Sequence, residues 1–423
     1  MKKILYVVLD GLGDRPNAIL GGKTPLEAAD TPFLDELAQK GETGLMDTIG
    51  PGIAPESDAA VMSILGYDVD EFYTGRGPLE SHGAGMDVPD GCLAWRCNFG
   101  TVDEDWNIVD RRVGRNLTDP EARELAAAVQ ENVRLAAATF EFRHTIGHRA
   151  CLVIQSLTSR LSGEVDNCDP AYRRQGAFSV ALEDPGTRVA EAKPLRDSPA
   201  ARLGAELTNQ FMRLSHAVLD NHPVNQRRRA EGKMPGNFIL ARDAGDRLPH
   251  LPSFQQRFGI HFGSLVEMPV EIGLAQLTGM GTVHVMSTGE EPEKGFSDWA
   301  DKTLASLADY DGLYVHLKGP DLFGHDGDPR GKAACIESID RLYFGPLVKA
   351  LRLPDMVIAV TADHSTPCDI KAHSADPVPL LISSDGLEPE GALQFGESEA
   401  ARGRLGKLRG PELVPRLVEI AKS

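Results

Sequence analysis

Six aspartate and histidine residues lie shortly after apolar runs of this chain, or in the loop before the next run, where they could bind metal ions. They are Asp10, Asp321, His325, Asp363, His364 and His373. The carboxyl ends of the strands in an open parallel sheet converge on one crevice, so residues far apart in sequence can meet there. Mixed nitrogen and oxygen donors suit Mn²⁺ or Zn²⁺ better than Ca²⁺, and six ligands are enough for two ions. Taken singly, an aspartate after a strand is more often a helix cap or a turn former.

Ser57, within Ala54-Pro55-Glu56-Ser57-Asp58, is a candidate nucleophile. With two metal ions roughly 3.5–4 Å apart, one ion can lower the pKa of a serine hydroxyl while the other binds a phosphoryl oxygen. Such a serine needs no histidine base, and a position at the start of a helix favours an arriving phosphoryl group. The alternative is a helix N-cap before Asp58–Leu65, a role that is compatible with nucleophilicity.

Continuous apolar runs alternate with helix-length amphipathic segments, which predicts an α/β fold with a mostly parallel sheet flanked by helices. The predicted helices of this part are Trp299–Ala308 and Lys332–Ala350. The predicted strands are Ile4–Leu9, Val283–Met286, Leu313–Leu317, Val357–Thr361 and Val378–Ile382.

The middle of the chain has a different pattern, with short alternating runs such as Leu93–Phe99 and Ala150–Ile154 and a long polar helix near Ala200–Asn221. We therefore expect a catalytic core of residues 1–84 and 234–423, interrupted at 85–233 by a smaller inserted α+β domain.

Composition excludes several classes of protein. The 423 residues carry a formal net charge of −18 at pH 7, spread along the chain, which argues against partners such as nucleic acids or anionic membranes. No apolar run reaches the roughly 18 residues of a membrane span. Lys2 and Lys3 precede an apolar run that is too short for a signal peptide. We therefore expect a cytoplasmic protein, while the composition leaves open whether it forms a homo-oligomer.

An acidic protein that acts on an anion needs a local cluster of positive charge. Arg96, Arg111, Arg112 and Arg115 lie within twenty residues of one another in the predicted insertion. Arginine forks bind carboxylates and phosphates through paired hydrogen bonds, although each of these residues could instead be a solvated charge. His316, inside a predicted strand, is expected to be a core histidine rather than a ligand.

Motifs along nearly the whole chain resemble those of the archaeal-type cofactor-independent phosphoglycerate mutases of the alkaline phosphatase superfamily. The matching segments are Leu9–Pro16, Gly21–Glu27, Glu56–Asp58, Leu65–Asp68, Gly75–Glu80, Asp110–Arg112, Thr145–Arg149, His222–Asn225, Gly324–Asp328, Asp363–Pro367 and His373–Leu381. The resemblance implies an alkaline-phosphatase-like core with an inserted cap domain. The chain departs from the family pattern at Arg242-Asp243-Ala244-Gly245, which replaces an Arg-Gly-Ala-Gly stretch.

The resemblance also implies roles for individual residues. Ser57 would be the phosphorylated nucleophile, and Lys318 would lie near the phosphoryl group. One ion would bind Asp10, Ser57, Asp363 and His364, and the other would bind Asp321, His325 and His373. The substrate would be bound by Arg96, Asp110, Arg111, Arg112, Arg115, His148, Arg149 and Arg242. The implied cofactors are two divalent ions, Mn²⁺ in first place and Zn²⁺ or Mg²⁺ as alternatives, without 2,3-bisphosphoglycerate.

The resulting hypothesis is the interconversion of 2- and 3-phosphoglycerate, which are small phosphorylated hydroxy acids, through a phosphoserine at Ser57. Water must be excluded while the glycerate reorients, and a hinged cap that closes over the core would exclude it. Two alternatives keep the same site: a hydrolase of phosphate or phosphonate esters, and a homoserine-kinase-like phosphotransferase. A metal-binding or regulatory protein that has lost catalytic activity is a third alternative.

Overall fold

The computed structural model describes residues 1–176, 178–182, 185–289 and 291–423. The strands are β1 (Lys3–Leu9), β2 (Glu42–Asp47), β3 (Leu93–Val102), β4 (Ile108–Asp110), β5 (Ala138–His144), β6 (Arg149–Ser156), β7 (Tyr172–Gln175), β8 (Phe178–Ala181), β9 (Phe238–Gly245), β10 (Phe262–Leu265), β11 (Gly281–Val283), β12 (Gly312–Leu317), β13 (Met356–Thr361), β14 (Val378–Ser384) and β15 (Gly406–Arg409). The helices are α1 (Pro25–Ala28), α2 (Pro32–Gln39), α3 (Ser57–Ile64), α4 (Val69–Phe72), α5 (Arg76–Gly83), α6 (Asp119–Asn132), α7 (Pro199–Asp220), α8 (Pro223–Ala230), α9 (Phe254–Phe258), α10 (Pro269–Leu277), α11 (Pro292–Ser306), α12 (Pro320–Asp326), α13 (Pro329–Ile339), α14 (Gly345–Ala350), α15 (Glu397–Ala400) and α16 (Gly410–Lys422). None of the helices in the described part of the chain is long and apolar enough to cross a bilayer.

Contacts divide the chain into two units. The first unit comprises residues 1–72, 251–267 and 274–423, and the second comprises 73–250 and 268–273. The second unit extends beyond the predicted insertion of 85–233 on both sides. The physical reason is that β9 pairs with β3 and that α5 packs on both of these strands.

A single sheet in the order β11-β10-β12-β1-β13-β14-β2-β15 is the centre of the first unit. The strand β14 is antiparallel to both of its neighbours, whereas β1 lies parallel between β12 and β13. Leu9 at the end of β1 is level with Leu317 at the end of β12. Helix α11 packs on β12 and α16 packs on β1 and β13, which agrees with the continuous apolar sequences of these strands. The predicted α/β class with a mostly parallel sheet is confirmed.

The predicted strand Val283–Met286 was placed too far along the chain. The strand β11 ends at Val283, which is level with Leu265, the last residue of β10. Residues after Val283 therefore have no hydrogen-bonding partner on β10.

The predicted helix Lys332–Ala350 is divided by a π-helical turn at Asp340–Phe344. Gly345 N donates to Asp340 O, five residues earlier, immediately before Pro346. Because a proline has no N–H and its ring displaces the carbonyl four residues before it, a wider turn accommodates it within the helix.

An antiparallel sheet with β3 at its centre organises the second unit. The strand β3 pairs with β6 and β9 and, near its end, with β4, while β5 pairs with β6. Helices α6 and α7 pack beside this sheet on a core that includes Trp95, Phe99, Phe211 and Phe238. The strands β7 and β8 pair antiparallel in a separate two-stranded sheet.

Candidate active site

The candidate residues of the first unit lie together beyond the carboxyl ends of three neighbouring parallel strands. They are Asp10, Ser57, Lys318, Asp321, His325, Asp363, His364 and His373. The strands β1 and β12 end directly before Asp10 and Lys318, and β13 ends two residues before Asp363. Because β1 pairs in parallel with both other strands, residues from three distant segments lie side by side.

Asp10, Asp363 and His364 form the first of two ligand groups, with one potential ligand atom from each residue within 4.8 Å of the others. The His364 Nε2 atom lies 3.5 Å from Asp10 Oδ1 and 3.2 Å from Asp363 Oδ2. The backbone N–H groups of Gly11 and His364 donate to Asp363 Oδ1 at 3.1 and 3.0 Å. These bonds fix the carboxylate plane and direct Oδ2 towards the other two ligands.

Asp321, His325 and His373 form the second ligand group. Asp321 and His325 lie on α12 with a spacing of four residues, and the Nε2 atoms of His325 and His373 are each 3.6 Å from an oxygen of Asp321. His325 Nδ1 is 3.0 Å from the carbonyl of Lys371, and His373 Nδ1 is 2.9 Å from the carbonyl of Pro55. Hydrogen bonds to these carbonyls place the ring protons on Nδ1 and leave both Nε2 lone pairs for a ligand.

Ser57 lies next to both groups. Its Oγ is 3.3 Å from His364 Nε2, and the ring of His364 stacks on that of His373 with the centroids 3.7 Å apart. Ser57 is the first residue of α3, and Glu56 occupies the cap position, so the N-cap alternative for Ser57 was wrong by one residue. The hydroxyl is thus at a helix N-terminus, where the backbone dipole favours negative charge.

The charged forms of the carboxylates are stabilised by their neighbours. Burial opposes the ionisation of Asp363, but the charges of His364 and His316 hold the pKa of this carboxyl well below its usual range. Burial likewise opposes the charged form of His373, but the adjacent Asp321 and Glu56 raise the pKa of His373 to about 10. A proton on His373 and a cation therefore compete for the same lone pair.

The residues present fit divalent metal ions. Asp363 Oδ2 is buried and accepts no hydrogen bond within the described part of the chain, although it faces two other potential ligands. A buried carboxylate oxygen of this kind costs free energy unless a cation or donor meets it. Imidazole nitrogens and carboxylate oxygens in both groups match the preferences of Mn²⁺ and Zn²⁺.

Lys318 and His316 border the first ligand group. Lys318 Nζ is 3.1 Å from Asp10 Oδ2. His316 is fully buried, as expected of a core histidine, but its Nε2 lies 3.6 Å from Asp363 Oδ2 and 3.5 Å from Lys318 Nζ. The sequence contained a signal for the contact between His316 and Lys318, because residues two apart along an extended segment point to the same side.

The second unit contains a separate cluster of charged groups around Glu80, which we call the arginine cluster; all of its members are buried except Arg149, which is partly buried. Its guanidinium groups belong to Arg76, Arg96, Arg149 and Arg242, and its carboxylates to Glu80 and Asp243. Glu80 Oε1 is 2.6 Å from Arg76 Nε and 3.4 Å from Arg96 Nε. Burial and the charges of Arg242 and Arg76 lower the pKa of Arg96 to about 10, so this residue is still protonated at neutral pH.

Sequence reasoning missed Arg76 and Glu80, although both lie in the quoted segment Gly75–Glu80. Their signal was the spacing of four residues between opposite charges on a helix. Because the six charged groups of the arginine cluster comprise four cations and two anions, the cluster has an excess of positive charge. Such an excess favours the binding of an anion.

Two other predicted substrate-binding residues have structural partners. Arg111 Nε is 2.8 Å from Asp169 Oδ1, and its NH2 donates to the carbonyl of Gly186 at 2.9 Å. Asp110 Oδ1 accepts from the backbone N–H groups of Arg112 at 2.7 Å and Gly114 at 2.9 Å. These bonds stabilise the turn that follows β4.

Three other predicted substrate-binding residues are at least partly accessible to solvent: Arg112, Arg115 and His148. Both arginines are exposed, and His148 is partly buried. Burial and the charges of Arg149 and Arg112 lower the pKa of His148 to about 3, so its imidazole is neutral and can donate or accept a hydrogen bond at physiological pH.

The departure at Asp243 has a structural consequence. Asp243 has a φ of 60°, in the left-handed region that favours glycine, the residue of the family pattern at this position. Its Oδ2 lies 2.8 Å from Arg242 NH1, and the Arg242 guanidinium lies 3.9 Å from the centre of the Tyr172 ring. Arg242 is thereby held between a carboxylate and an aromatic face.

Comparison with known proteins gives a consistent result. The family described as 2,3-bisphosphoglycerate-independent phosphoglycerate mutase matches residues 38–225. A protein of that name from Aeropyrum pernix is 43% identical over 99% of both chains, and one from Thermococcus kodakarensis is 40% identical over 99% of this chain and 97% of its own. A solved cofactor-independent phosphoglycerate mutase from Thermoplasma acidophilum has 32% identity and a TM-score of 0.65 over 100% of both chains. A solved protein from Pyrococcus horikoshii, also 32% identical, has a TM-score of 0.81 over 100% of this chain and 97% of its own.

Proposed function

The chain belongs to the family of 2,3-bisphosphoglycerate-independent phosphoglycerate mutases, and we propose that it interconverts 2- and 3-phosphoglycerate through a phosphoserine at Ser57. The observation that carries this proposal is the position of the Ser57 hydroxyl at the start of α3, beside His364 and the stacked ring of His373. A nucleophile in this position adjoins two groups of metal-binding side chains at once.

In the proposed reaction, Ser57 Oγ loses its proton and forms a bond to the phosphorus of 3-phosphoglycerate, while the bond from phosphorus to the 3-oxygen breaks and the 3-oxygen takes up a proton to become a hydroxyl. The glycerate then presents its 2-hydroxyl to the phosphoserine and takes the phosphoryl group back. Lys318, whose Nζ lies beside Asp10, offsets negative charge during the transfer. Water has to be kept from the phosphoserine, since hydrolysis would turn the enzyme into a phosphatase.

Two divalent ions, with Mn²⁺ as the first candidate, would be held by the side chains of the two ligand groups. Asp10, Asp363 and His364, together with Ser57, would hold one ion, and Asp321, His325 and His373 would hold the other. When bound, such ions lower the pKa of a hydroxyl and neutralise phosphoryl oxygens.

The arginine cluster of the second unit is the proposed binding site for the anionic groups of the substrate. Its excess of positive charge supports this assignment, and Arg76 joins the predicted residues Arg96, Arg149 and Arg242. We propose that Arg112, Arg115 and His148 contribute from the neighbouring surface, whereas Asp110 and Arg111 stabilise the second unit through their own hydrogen bonds.

The test is an enolase-coupled assay of purified, Mn²⁺-loaded protein with 3-phosphoglycerate and without added 2,3-bisphosphoglycerate. The wild-type protein should form 2-phosphoglycerate, and Ser57→Ala should form none while it still binds metal. Intact-mass measurement of rapidly quenched wild-type protein should show one added phosphoryl group.

A metal-loaded protein that releases phosphate from esters but gives no coupled signal would reject the mutase proposal in favour of a phosphohydrolase. ATP-dependent phosphorylation of homoserine in the same preparation would favour the kinase-like alternative. A Ser57→Ala variant with wild-type mutase activity would reject the phosphoserine route.

A further inference from the structure

Thr366 connects the two ligand groups through one side-chain oxygen. It is fully buried in the segment that follows β13. Its Oγ1 lies 2.7 Å from Asp321 Oδ1 in the second group and 3.0 Å from His364 Nδ1 in the first. The sequence places Thr366 two residues after His364, but nothing in the spacing indicates its contact with Asp321.

The chemistry of the three groups determines the direction of both hydrogen bonds. An ionised carboxylate can only accept, so the single hydroxyl proton of Thr366 goes to Asp321. The hydroxyl oxygen is then free to accept from the Nδ1–H of His364. This bond leaves the lone pair of His364 on Nε2, the atom that lies near Asp10, Asp363 and Ser57.

Thr366 is itself held in place by backbone hydrogen bonds. Its N–H donates to the carbonyl of Gly13 at 3.0 Å, and its carbonyl accepts from the buried ammonium group of Lys332 at 3.0 Å. Lys332 also pairs with Asp14 at 2.9 Å. These bonds hold the backbone that carries the Thr366 hydroxyl.

Two glycines leave space for this side chain. A Cβ added at Gly11 would lie 2.7 Å from Thr366 Oγ1, and one added at Gly324 would lie 2.8 Å from its methyl carbon. A larger residue at either position would press on Thr366, so both glycines keep the space that its side chain needs to bridge Asp321 and His364.

We propose that Thr366 is a positioning residue that orients one ligand of each group and thereby sets the affinity of both metal sites. The inference rests on the proposed function, because it takes both groups to be metal sites. Side chains that support ligands in this way set metal affinity without touching the ion.

The test uses two substitutions at one position. Thr366→Val keeps the shape of the side chain and removes the hydroxyl, whereas Thr366→Ser keeps the hydroxyl and removes the methyl group. Metal-free protein is titrated with Mn²⁺, and free Mn²⁺ is measured by electron paramagnetic resonance. We expect Thr366→Val to raise the dissociation constants of both sites by about 10- to 100-fold and Thr366→Ser to remain close to wild type.

The outcomes separate this inference from the proposed function. Wild-type protein that binds no Mn²⁺ would reject the assignment of Mn²⁺ to the two ligand groups and this inference with it, whereas the coupled assay tests the mutase proposal separately. Wild-type protein that binds two ions while Thr366→Val binds them equally tightly would reject the role of Thr366 alone. A Thr366→Ser variant as weak as Thr366→Val would assign the effect to packing of the methyl group and also overturn the proposal.

Circular dichroism of the metal-free variants shows whether they fold. If Thr366→Val does not fold, a crystal structure of the Mn²⁺-loaded wild-type protein tests the position of the Thr366 hydroxyl instead. Thr366 Oγ1 within hydrogen-bonding distance of both Asp321 Oδ1 and His364 Nδ1 supports the proposal, and a separation beyond about 3.5 Å from either atom rejects it.

Discussion

At the scale of single residues, the two polar atoms of a side chain in the candidate site have different partners. His373 places Nδ1 against the carbonyl of Pro55 and Nε2 towards Asp321. Asp363 accepts two backbone N–H groups on Oδ1 and directs Oδ2 towards His364. One end fixes the orientation, so the other end is available for chemistry without a loss of side-chain entropy on binding.

Lys318 provides the prediction at this scale. Its ammonium group lies 3.1 Å from Asp10 Oδ2, so Lys318→Met should lower kcat by about 10²- to 10³-fold with little change in KM. The enolase-coupled assay measures the effect, and atomic absorption should show that the metal content is unchanged. Lys407→Met is the matched control, because Lys407 also pairs with an aspartate in the first unit, Asp47, at 2.9 Å. An unchanged kcat in Lys318→Met would contradict the role of Lys318 in charge stabilisation.

At the scale of secondary-structure elements, a helix and a strand place buried charges of opposite sign beside each other, where each would be costly to bury alone. Helix α5 presents Arg76 and Glu80 on one face, and β3 brings Arg96 to the same carboxylate. Burial by itself raises the pKa of Glu80, but the charges of Arg96 and Arg76 lower it below its usual value. The carboxylate is therefore ionised and holds the two guanidinium groups near each other.

Removing this carboxylate should destabilise the second unit. Glu80→Gln leaves Arg76 and Arg96 buried without their shared anion, so the free energy of unfolding should fall by about 3–5 kcal/mol. Chemical denaturation followed by circular dichroism measures the change. The control is Glu419→Gln, which breaks an exposed pair with Arg416 and should cost about 0–1 kcal/mol. Equal effects of the two substitutions would show that Glu80 has no special structural role.

At the scale of the whole molecule, the two kinds of chemistry belong to different units. The ligand groups and Ser57 lie in the first unit, and the arginine cluster lies in the second. Each group lies at the sheet of its own unit: the ligand groups at the ends of the parallel strands β1, β12 and β13 and on α12, and the arginine cluster on the antiparallel strands β3, β6 and β9 and on α5. A substitution in the ligand groups can therefore be tested while the arginine cluster is unchanged, and the reverse.

Metal removal should destabilise the protein, because a ligand that binds only the folded state adds its binding free energy to stability. We expect the melting temperature to fall after chelation and to return on addition of Mn²⁺, as measured by differential scanning calorimetry. Ser57→Ala, which retains the six carboxylate and imidazole ligands, should show most of the same shift. Equal melting temperatures with and without metal would contradict the proposal that both groups bind ions.

Much of this arrangement was predictable from sequence. Continuous apolar runs predicted β1, β12 and β13, and the residues that follow them predicted Asp10, Asp321 and Asp363 as candidate metal ligands, because parallel strands bring their carboxyl ends together. The resemblance to the mutase family, carried by ordered motifs, is confirmed by the comparisons. The boundaries of the second unit were less predictable, since β9 joins it through pairing with a strand more than a hundred residues earlier.

The sequence by itself determined the fold class, the family and the types of side chain available for chemistry, because these depend on local periodicity and on ordered motifs. Only the tertiary structure decided which atoms meet: Pro55 with His373, Glu80 with Arg96, and Thr366 with Asp321. The physical reason is that hydrogen bonds and buried ion pairs depend on distances of a few tenths of an ångström and on side-chain direction. No local pattern encodes such contacts between residues that lie on separate segments of the chain.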